Sequence, residues 1–262
     1  MRTRFPISAP AAALAGILVL MAAGISCKPE TPAADQAAPA PVSAKAPAGR
    51  TDTNSTYTAE EFDEIAQTVF RPIYPHLAAQ VKADYGIAKG LALDAGSGPG
   101  YWAIELAKIT ELKVTALDID PAAVKIAARN IREAGLEGRV EAVEGDVQKL
   151  PFDDASVDLV VSRGSYLFWP DKALAFREIW RVLKPGGAAF VGGGMGNLLP
   201  PEDRTRIQEI MVEKNIGPPL KLETTFEQMG EILRAAGIPD FKISHDEGCL
   251  CGLWVEFRKP KG

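Results

Sequence analysis

Cysteine and histidine are scarce in this sequence: its 262 residues include three cysteines and two histidines. The cysteines form no CxxC pair and no disulfide framework, so we expect no structural disulfide. Cys249 and Cys251 would share one face of a strand, which is typical of buried cysteines and leaves soft-metal binding as the alternative. Two such ligands are too few for a closed zinc site, and we predict that the chain holds no metal.

A run of basic residues is also missing. The chain has 29 lysines and arginines against 34 acidic residues, which gives a net charge of −5. An acidic surface without a basic patch offers little electrostatic attraction for nucleic acid or for anionic lipid. We therefore expect a small-molecule partner and no nucleic acid.

Charge is absent from one long stretch near the N-terminus. Arg2 and Arg4 open the chain, residues 5–26 carry no charge, and Cys27 follows. This pattern resembles a bacterial lipoprotein signal, in which the cysteine becomes lipidated. The departure is Gly24, where that family usually has leucine. An uncleaved membrane anchor and a core helix are the alternatives. The lipoprotein signal and the membrane anchor both place the following domain outside the cytoplasm.

Three regions follow from composition. Residues 1–27 are predicted to be a signal peptide or membrane anchor. Residues 28–56 are rich in proline and alanine and read as a disordered tether. Residues 57–262 would form the folded domain. The predicted location is the cell envelope, with the domain tethered to the membrane and facing outside the cytoplasm.

Within that domain, short apolar runs alternate with helical patterns. The predicted strands are 91–95, 113–119, 140–146, 157–163 and 188–194. The predicted helices are 100–109, 121–134, 171–183, 203–214 and 224–236. This alternation predicts a doubly wound α/β fold whose mostly parallel sheet is covered on both faces. Residues 241–248 and 249–259 read as a terminal antiparallel hairpin that turns at Glu247-Gly248.

A glycine-rich turn, GSGPG, joins the first predicted strand to the first predicted helix. Such a turn lets a ligand approach the backbone at a helix N-terminus. Its spacing is G-x-G-x-G, and Tyr101 stands where the dinucleotide fingerprint needs its third glycine. The GK[ST] of a phosphate-binding P-loop is also missing. Asp118, at the end of the second strand, is placed to accept hydrogen bonds from ribose hydroxyls.

Four motifs stand in order over residues 91–187: DAGSGPG, ALDID, EGDVQKLPF and LKPGG. Together they resemble the class I S-adenosylmethionine-dependent methyltransferases, a Rossmann-like family. The segment that ends in RVLKPGG is most similar to the small-molecule branch, which includes quinone-biosynthesis and sterol methyltransferases. The resemblance implies S-adenosyl-L-methionine as cofactor and a small-molecule methyl acceptor as partner.

The resemblance also implies a role for individual residues. Asp94, Gly96, Ser97, Gly98 and Gly100 would surround the methionine part of the cofactor. Further along the chain, Asp118 would bind the ribose and Ile119 would pack on the adenine. Asp146 and Val147 would bind the edge of the adenine. Ser162 would lie beside the sulfonium, together with Arg163. The alternative for Asp118 and Asp146 is a carboxylate that only caps a loop or helix.

The sequence does not identify a single catalytic residue. Methyl transfer depends mainly on orienting the two reactants in a dry pocket, so the family needs no fixed triad. The candidates are His76, Arg163 and Tyr166, and the aromatic residues near the strand ends have core packing as their alternative. Three functions are weighed: an enzyme tethered to the envelope, a non-catalytic lipoprotein that binds S-adenosylmethionine, S-adenosylhomocysteine or a related nucleoside, and a partner-docking protein that keeps only the fold.

Overall fold

The computed structural model describes residues 57–217, 224–247 and 252–262. Its helices are α1 (Ala59–Thr68), α2 (Ile73–Tyr85), α3 (Tyr101–Ile109), α4 (Pro121–Glu133), α5 (Lys172–Val182), α6 (Pro201–Glu213) and α7 (Phe226–Ala235). Its strands are β1 (Lys89–Ala95), β2 (Glu111–Asp118), β3 (Val140–Glu144), β4 (Val157–Arg163), β5 (Leu183–Gly192), β6 (Lys242–Ser244) and β7 (Trp254–Arg258).

Across the described residues these strands form a seven-stranded sheet in the order β3-β2-β1-β4-β5-β7-β6. The first five in chain order run parallel, whereas β7 pairs antiparallel with β5 and with β6. The chain winds outward from β1 to β3 and then returns to place β4 on the other side of β1. This reversal opens a crevice at the carboxyl ends of β1 and β4, where doubly wound folds bind ligands.

Side chains alternate between two cores, one on each face of the sheet. Val161, Phe190 and Trp254 pack on the face covered by α1, α2, α3, α4 and α6. Their neighbours Val160 and Val255 pack on the opposite face, under α5 and α7. Burial on both faces explains why the strand sequences are nearly continuous apolar runs.

The predicted fold class is confirmed, and most predicted elements end within two residues of the observed bounds. Strand β5 differs: it covers 183–192, not 188–194. Leu183 already pairs with Val157, and a register shift then lets Ala188 pair with Leu159. The Pro-Gly-Gly sequence 185–187 suggests a turn, but the irregular pairing keeps this segment in the sheet.

Two further differences lie at the ends of the domain. Helices α1 and α2 were not among the predicted elements, although Thr58 and Glu61 form a capping box at the start of α1. The terminal hairpin is present but shorter than predicted, with Ser244 opposite Trp254. Gly248 of the predicted turn and all three cysteines lie outside the described residues.

The N-terminal signal and tether also lie outside the described residues, and the structure does not test them. Within the described part of the chain, no helix is long and apolar enough to cross a membrane.

Candidate functional site

The glycine-rich loop after β1 is pinned to the end of β2. The backbone N–H groups of Gly96 and Ser97 both donate to the carbonyl of Leu117, at 2.8 and 2.9 Å. The loop then turns into α3 through Gly100, whose N–H donates to Ser97 O at 3.0 Å. These bonds hold the loop open at the carboxyl edge of the sheet, as the sequence predicts.

Two of its glycines are required by close neighbours as well as by their backbone angles. Gly96 has φ +71°, and a side chain there would collide with Ser165. Gly100 has φ +78°, and a Cβ atom would lie 3.1 Å from the Cβ of Ala127 on α4. Larger residues would therefore separate the loop from the β4 end or from α4.

Two carboxylates lie under this loop. Asp94 is 2% exposed and accepts one hydrogen bond, from Ala103 N at 3.2 Å. Burial raises the pKa of Asp94 to about 7, with a further upward contribution from the charge of Asp118. Burial also raises the pKa of Asp118, although the hydrogen bonds from the backbone N–H groups of Asp120 and Gly98 act to lower it. Neither carboxylate has a cation within ion-pair distance among the described residues.

Asp118 is tied to the loop by its own side chain. One oxygen accepts from Gly98 N at 2.8 Å and the other accepts from Asp120 N at 3.0 Å. A carboxylate offers about four acceptor positions, so both oxygens keep room for further donors. Asp118 is half-exposed and Ile119 next to it is 55% exposed, so a polar and an apolar group face outward together.

The end of β3 adjoins this position, because Gly145 N donates to Asp118 O at 2.9 Å. Asp146 follows, and its Oδ1 accepts from Gln148 N at 2.8 Å, so it caps the short 3₁₀ turn at Val147–Lys149. The capping alternative is therefore realised for Asp146, although a carboxylate with one strong bond can still accept a second donor. Val147 itself is buried.

The end of β4 touches the glycine-rich loop directly. Ser162 is fully buried, and its hydroxyl lies 2.6 Å from that of Ser165. Ser165 in turn donates to Ala95 O at 2.8 Å. Tyr166, one of the catalytic candidates, is 4% exposed and packs in the core under α5 and α7. The serines therefore join β4 to the loop, as expected for a residue beside the reacting centre.

Arg163, another candidate, lies on the opposite face of β4 from Ser162. Its guanidinium carbon sits 4.6 Å from the ring centre of Phe70 and 5.9 Å from that of Tyr74. Its Nε donates to Gly194 O at 2.8 Å. His76, the third candidate, is half-buried on α2, and no hydrogen bond within the described residues joins it to this group.

Helix α1, which was not among the predicted helices, covers the glycine-rich loop. A Cβ atom on Gly98 would lie 3.2 Å from the ring of Phe62. The next residue, Asp63, accepts from Tyr101 at 2.8 Å, from Arg129 at 2.6 Å and from Asn130 at 3.2 Å. The capping box at Thr58 and Glu61 was the sequence signal that could have revealed this helix.

The residues present fit the cofactor that the sequence motifs imply. Ser97 Oγ is buried within the loop and has no hydrogen-bond partner among the described residues, which is unusual for a buried hydroxyl. Ile119 exposes an apolar surface beside the half-exposed Asp118 carboxylate. An unpaired hydroxyl, an apolar face and a carboxylate with room for further donors lie on one edge, and together they match a nucleoside joined to an amino acid.

Comparisons with known proteins point the same way. A family model described as a methyltransferase domain matches residues 93–191. The structure aligns with the crystal structure of a candidate S-adenosyl-L-methionine-dependent methyltransferase from Methanococcus maripaludis. The identity is 37%, the TM-score is 0.72, and the alignment covers 83% of this chain and 99% of that chain.

Among curated sequences, a sterol 24-C-methyltransferase of Gibberella zeae is 31% identical over 163 residues, which is 62% of this chain and 42% of the relative. A demethylmenaquinone methyltransferase of Chlorobaculum tepidum is 36% identical over 99 residues, 38% of either chain. The matched stretch spans between 27% and 58% of the curated relatives' own lengths.

Proposed function

We propose that this chain, which belongs to the S-adenosylmethionine-dependent methyltransferases, transfers a methyl group to a small or lipophilic acceptor at the cell envelope. The observation that supports the proposal is that hydrogen bonds link the ends of β2, β3 and β4 around the glycine-rich loop. The Asp118 carboxylate holds Gly98 from β2, Ser165 holds Ala95 from the β4 side, and Gly145 links β3.

The bound cofactor supplies an electrophilic methyl group on a positively charged sulfur. Asp118 would accept hydrogen bonds from its ribose, and Ile119 would pack against its base. Ser97 Oγ would gain the partner that it lacks. Asp94, buried behind the loop, would stabilise the positive charge of the methionine part through its own negative charge.

Helix α1 has a separate task in this proposal. Phe62 lies against Gly98, and Asp63 fastens the helix to α3 and α4. A helix held in this way keeps water from the loop, and a dry pocket strengthens the electrostatic interactions on which methyl transfer depends. The covering helix and the strand ends would thus orient the cofactor without supplying a proton acceptor.

The acceptor class rests on the relatives. Two of them are named as methyltransferases of a sterol and of demethylmenaquinone, which are both lipophilic. Radiolabelled methyl transfer from S-adenosylmethionine into cell-envelope lipid extracts tests the proposal, with Asp118→Ala as the control that should transfer less label. Proven cofactor binding without incorporation would overturn catalysis and favour the non-catalytic binding lipoprotein.

The envelope location is a separate part of the proposal. It is supported by the basic, apolar and cysteine-ended order of residues 1–27. Labelling the full chain with radioactive palmitate should mark the wild type and Cys249→Ala but not Cys27→Ala. If no variant takes up label and the wild type does not sediment with membranes, the tether is wrong, whereas the enzymatic proposal stands.

A further inference from the structure

Arg163 differs from the buried or half-buried arginines that pair with carboxylates: Arg181 pairs with Glu178 and Asp154, and Arg204 pairs with Asp246. It differs also from the half-buried Arg139, which donates to the carbonyls of Ala107, Thr110 and Leu112. Near Arg163, no carboxylate oxygen of the described residues lies within 4.0 Å. Arginines in such surroundings are normally paired, because an unpaired buried charge is costly.

The guanidinium of Arg163 is nevertheless held in a defined orientation. Phe70 and Tyr74 flank it, and its Nε is anchored on Gly194 O. Burial lowers the pKa of Arg163, while the Tyr74 hydroxyl and the charge of Asp246 act in the opposite direction. The side chain retains partial exposure to solvent at the end of β4. A preorganised, partly accessible guanidinium suits the recognition of an oxyanion, which it can bind in a bidentate manner.

Its position is close to the reacting centre of the proposed reaction. Ser162 precedes Arg163 directly, and Ser165 bonds to Ala95 at the start of the glycine-rich loop. A fixed positive charge here would repel the positively charged sulfur of the cofactor. An anion between the two would remove that repulsion and would be attracted by both charges.

We propose that Arg163 is the residue that selects the methyl acceptor, and that this acceptor carries an anionic oxygen, such as a carboxylate or a phenolate. The inference rests on the proposed function and deepens it by naming the acceptor's chemical class. The rings of Phe70 and Tyr74 are themselves buried, so they fix the orientation of the guanidinium and leave recognition to its charge.

The charges of the step balance without a further reactant. An electron pair of the acceptor forms the new bond to the methyl carbon as the bond from carbon to sulfur breaks. The electrons of the broken bond stay on sulfur, which becomes neutral, and an acceptor that reacts through its anionic oxygen becomes neutral too. No proton has to leave such an acceptor, so Arg163 serves by placing the oxygen.

The first test uses the wild-type full chain saturated with S-adenosylhomocysteine. Phenylglyoxal modifies accessible guanidinium groups, and peptide mass spectrometry reports each arginine separately. We expect benzoate to slow the modification of Arg163 roughly tenfold, and the uncharged analogue benzamide to leave it unchanged. The exposed Arg177, which donates only to Ala235 O, is the internal control that neither compound protects.

Three outcomes would overturn the inference. Arg163 could resist phenylglyoxal while Arg177 reacts, which would make it a closed structural contact between α2 and the sheet. Benzamide could protect as well as benzoate, which would assign recognition to the rings alone. Benzoate could fail to protect Arg163 at all. Loss of S-adenosylhomocysteine binding in the wild type would instead overturn the proposed function, so the two failures are distinguishable.

The second test compares substitutions. Calorimetric titration with benzoate should show binding roughly tenfold weaker in Arg163→Gln, an intermediate value in Arg163→Lys, and wild-type binding in Arg177→Gln. S-adenosylhomocysteine affinity should stay within about twofold in all three variants. A melting temperature lowered in Arg163→Gln with benzoate affinity unchanged would show a purely structural role.

Discussion

Three acidic residues near the glycine-rich loop have contrasting surroundings. Asp63 sits among donors: burial alone would raise its pKa, but hydrogen bonds from Tyr101, Arg129 and other side chains hold it below the usual value. Asp94 and Asp118 have no cation within ion-pair distance in the part of the chain that the structure describes, and their pKa values are raised. A paired carboxylate fastens helices together, whereas an unpaired one keeps its charge available for a cationic ligand.

The largest expected effect concerns Asp94 and pH. Its folded pKa, about 7, lies above the ordinary value of 3.8, so the folded protein retains a proton that the unfolded chain releases. The contribution to stability therefore falls as pH rises from about 4 to 7, by up to about 1.4 kcal/mol per pH unit. Asp94→Asn should remove this slope and make the cofactor-free protein more stable than the wild type at pH 8.

Urea unfolding of both proteins at pH 5 and at pH 8 measures this difference. The advantage of Asp94→Asn should be larger at pH 8, and cofactor affinity should fall in the same variant because the negative charge is lost. An equal advantage at both pH values would contradict a raised pKa for Asp94.

The second effect concerns Asp63 and the hydrogen bonds that it accepts. Asp63→Ala removes the acceptor shared by Tyr101, Arg129 and Asn130 and should lower the free energy of unfolding by about 2–3 kcal/mol. The figure is moderate because the Arg129 side chain is 45% exposed and can be solvated. Denaturant titration checks it, with Glu133→Gln as the matched control.

Glu133 also faces Arg129, but at 3.9 Å and 68% exposed, so its removal should change the free energy of unfolding little. Equal losses from the two substitutions would mean that Asp63 is no more important than a surface carboxylate.

The third effect concerns Asp118, a carboxylate without a cation partner among the described residues, and its predicted role in binding the ribose of the cofactor. Asp118→Ala should weaken S-adenosylhomocysteine binding by about 1–3 kcal/mol through loss of charge-assisted hydrogen bonds. Asp171→Ala is the control, because Asp171 caps α5 by accepting from Leu174 N at 2.9 Å and lies outside the site. Calorimetric titration should show wild-type affinity for the control. Unchanged affinity in Asp118→Ala would mean that the ribose assignment is wrong.

The smallest effect compares two equivalent caps. Thr58 and Thr225 both form capping boxes, at the starts of α1 and α7. Thr58→Ala and Thr225→Ala should each lower the free energy of unfolding by about 1 kcal/mol. Because α1 covers the glycine-rich loop and α7 does not, cofactor affinity should fall, by roughly twofold, in Thr58→Ala alone. Equal affinities would show that the covering helix does not contribute to binding.

Much of the site was predictable because its signals are local in the chain. The glycine spacing, Asp94 and Asp118 follow from strand-turn-helix patterns of a few residues each. The extent of β5 was not predictable, since the Pro-Gly-Gly sequence that suggests a turn lies within the strand, between Leu183 and Ala188, which both pair with β4. His76 stays a prediction: it was chosen for its chemistry alone, and no hydrogen bond within the described residues joins it to the end of β4.

The sequence by itself determined the doubly wound sheet, the loop at its carboxyl edge and the residue types at that edge, because periodicity and spacing are properties of neighbouring residues. Only the tertiary structure decided which charges are paired. Asp63 meets Arg129 across 66 positions, and Arg163 meets Phe70 from another part of the fold. The raised pKa of Asp94 likewise depends on burial under distant elements, and the free energy of a charge is set by everything that surrounds it in space.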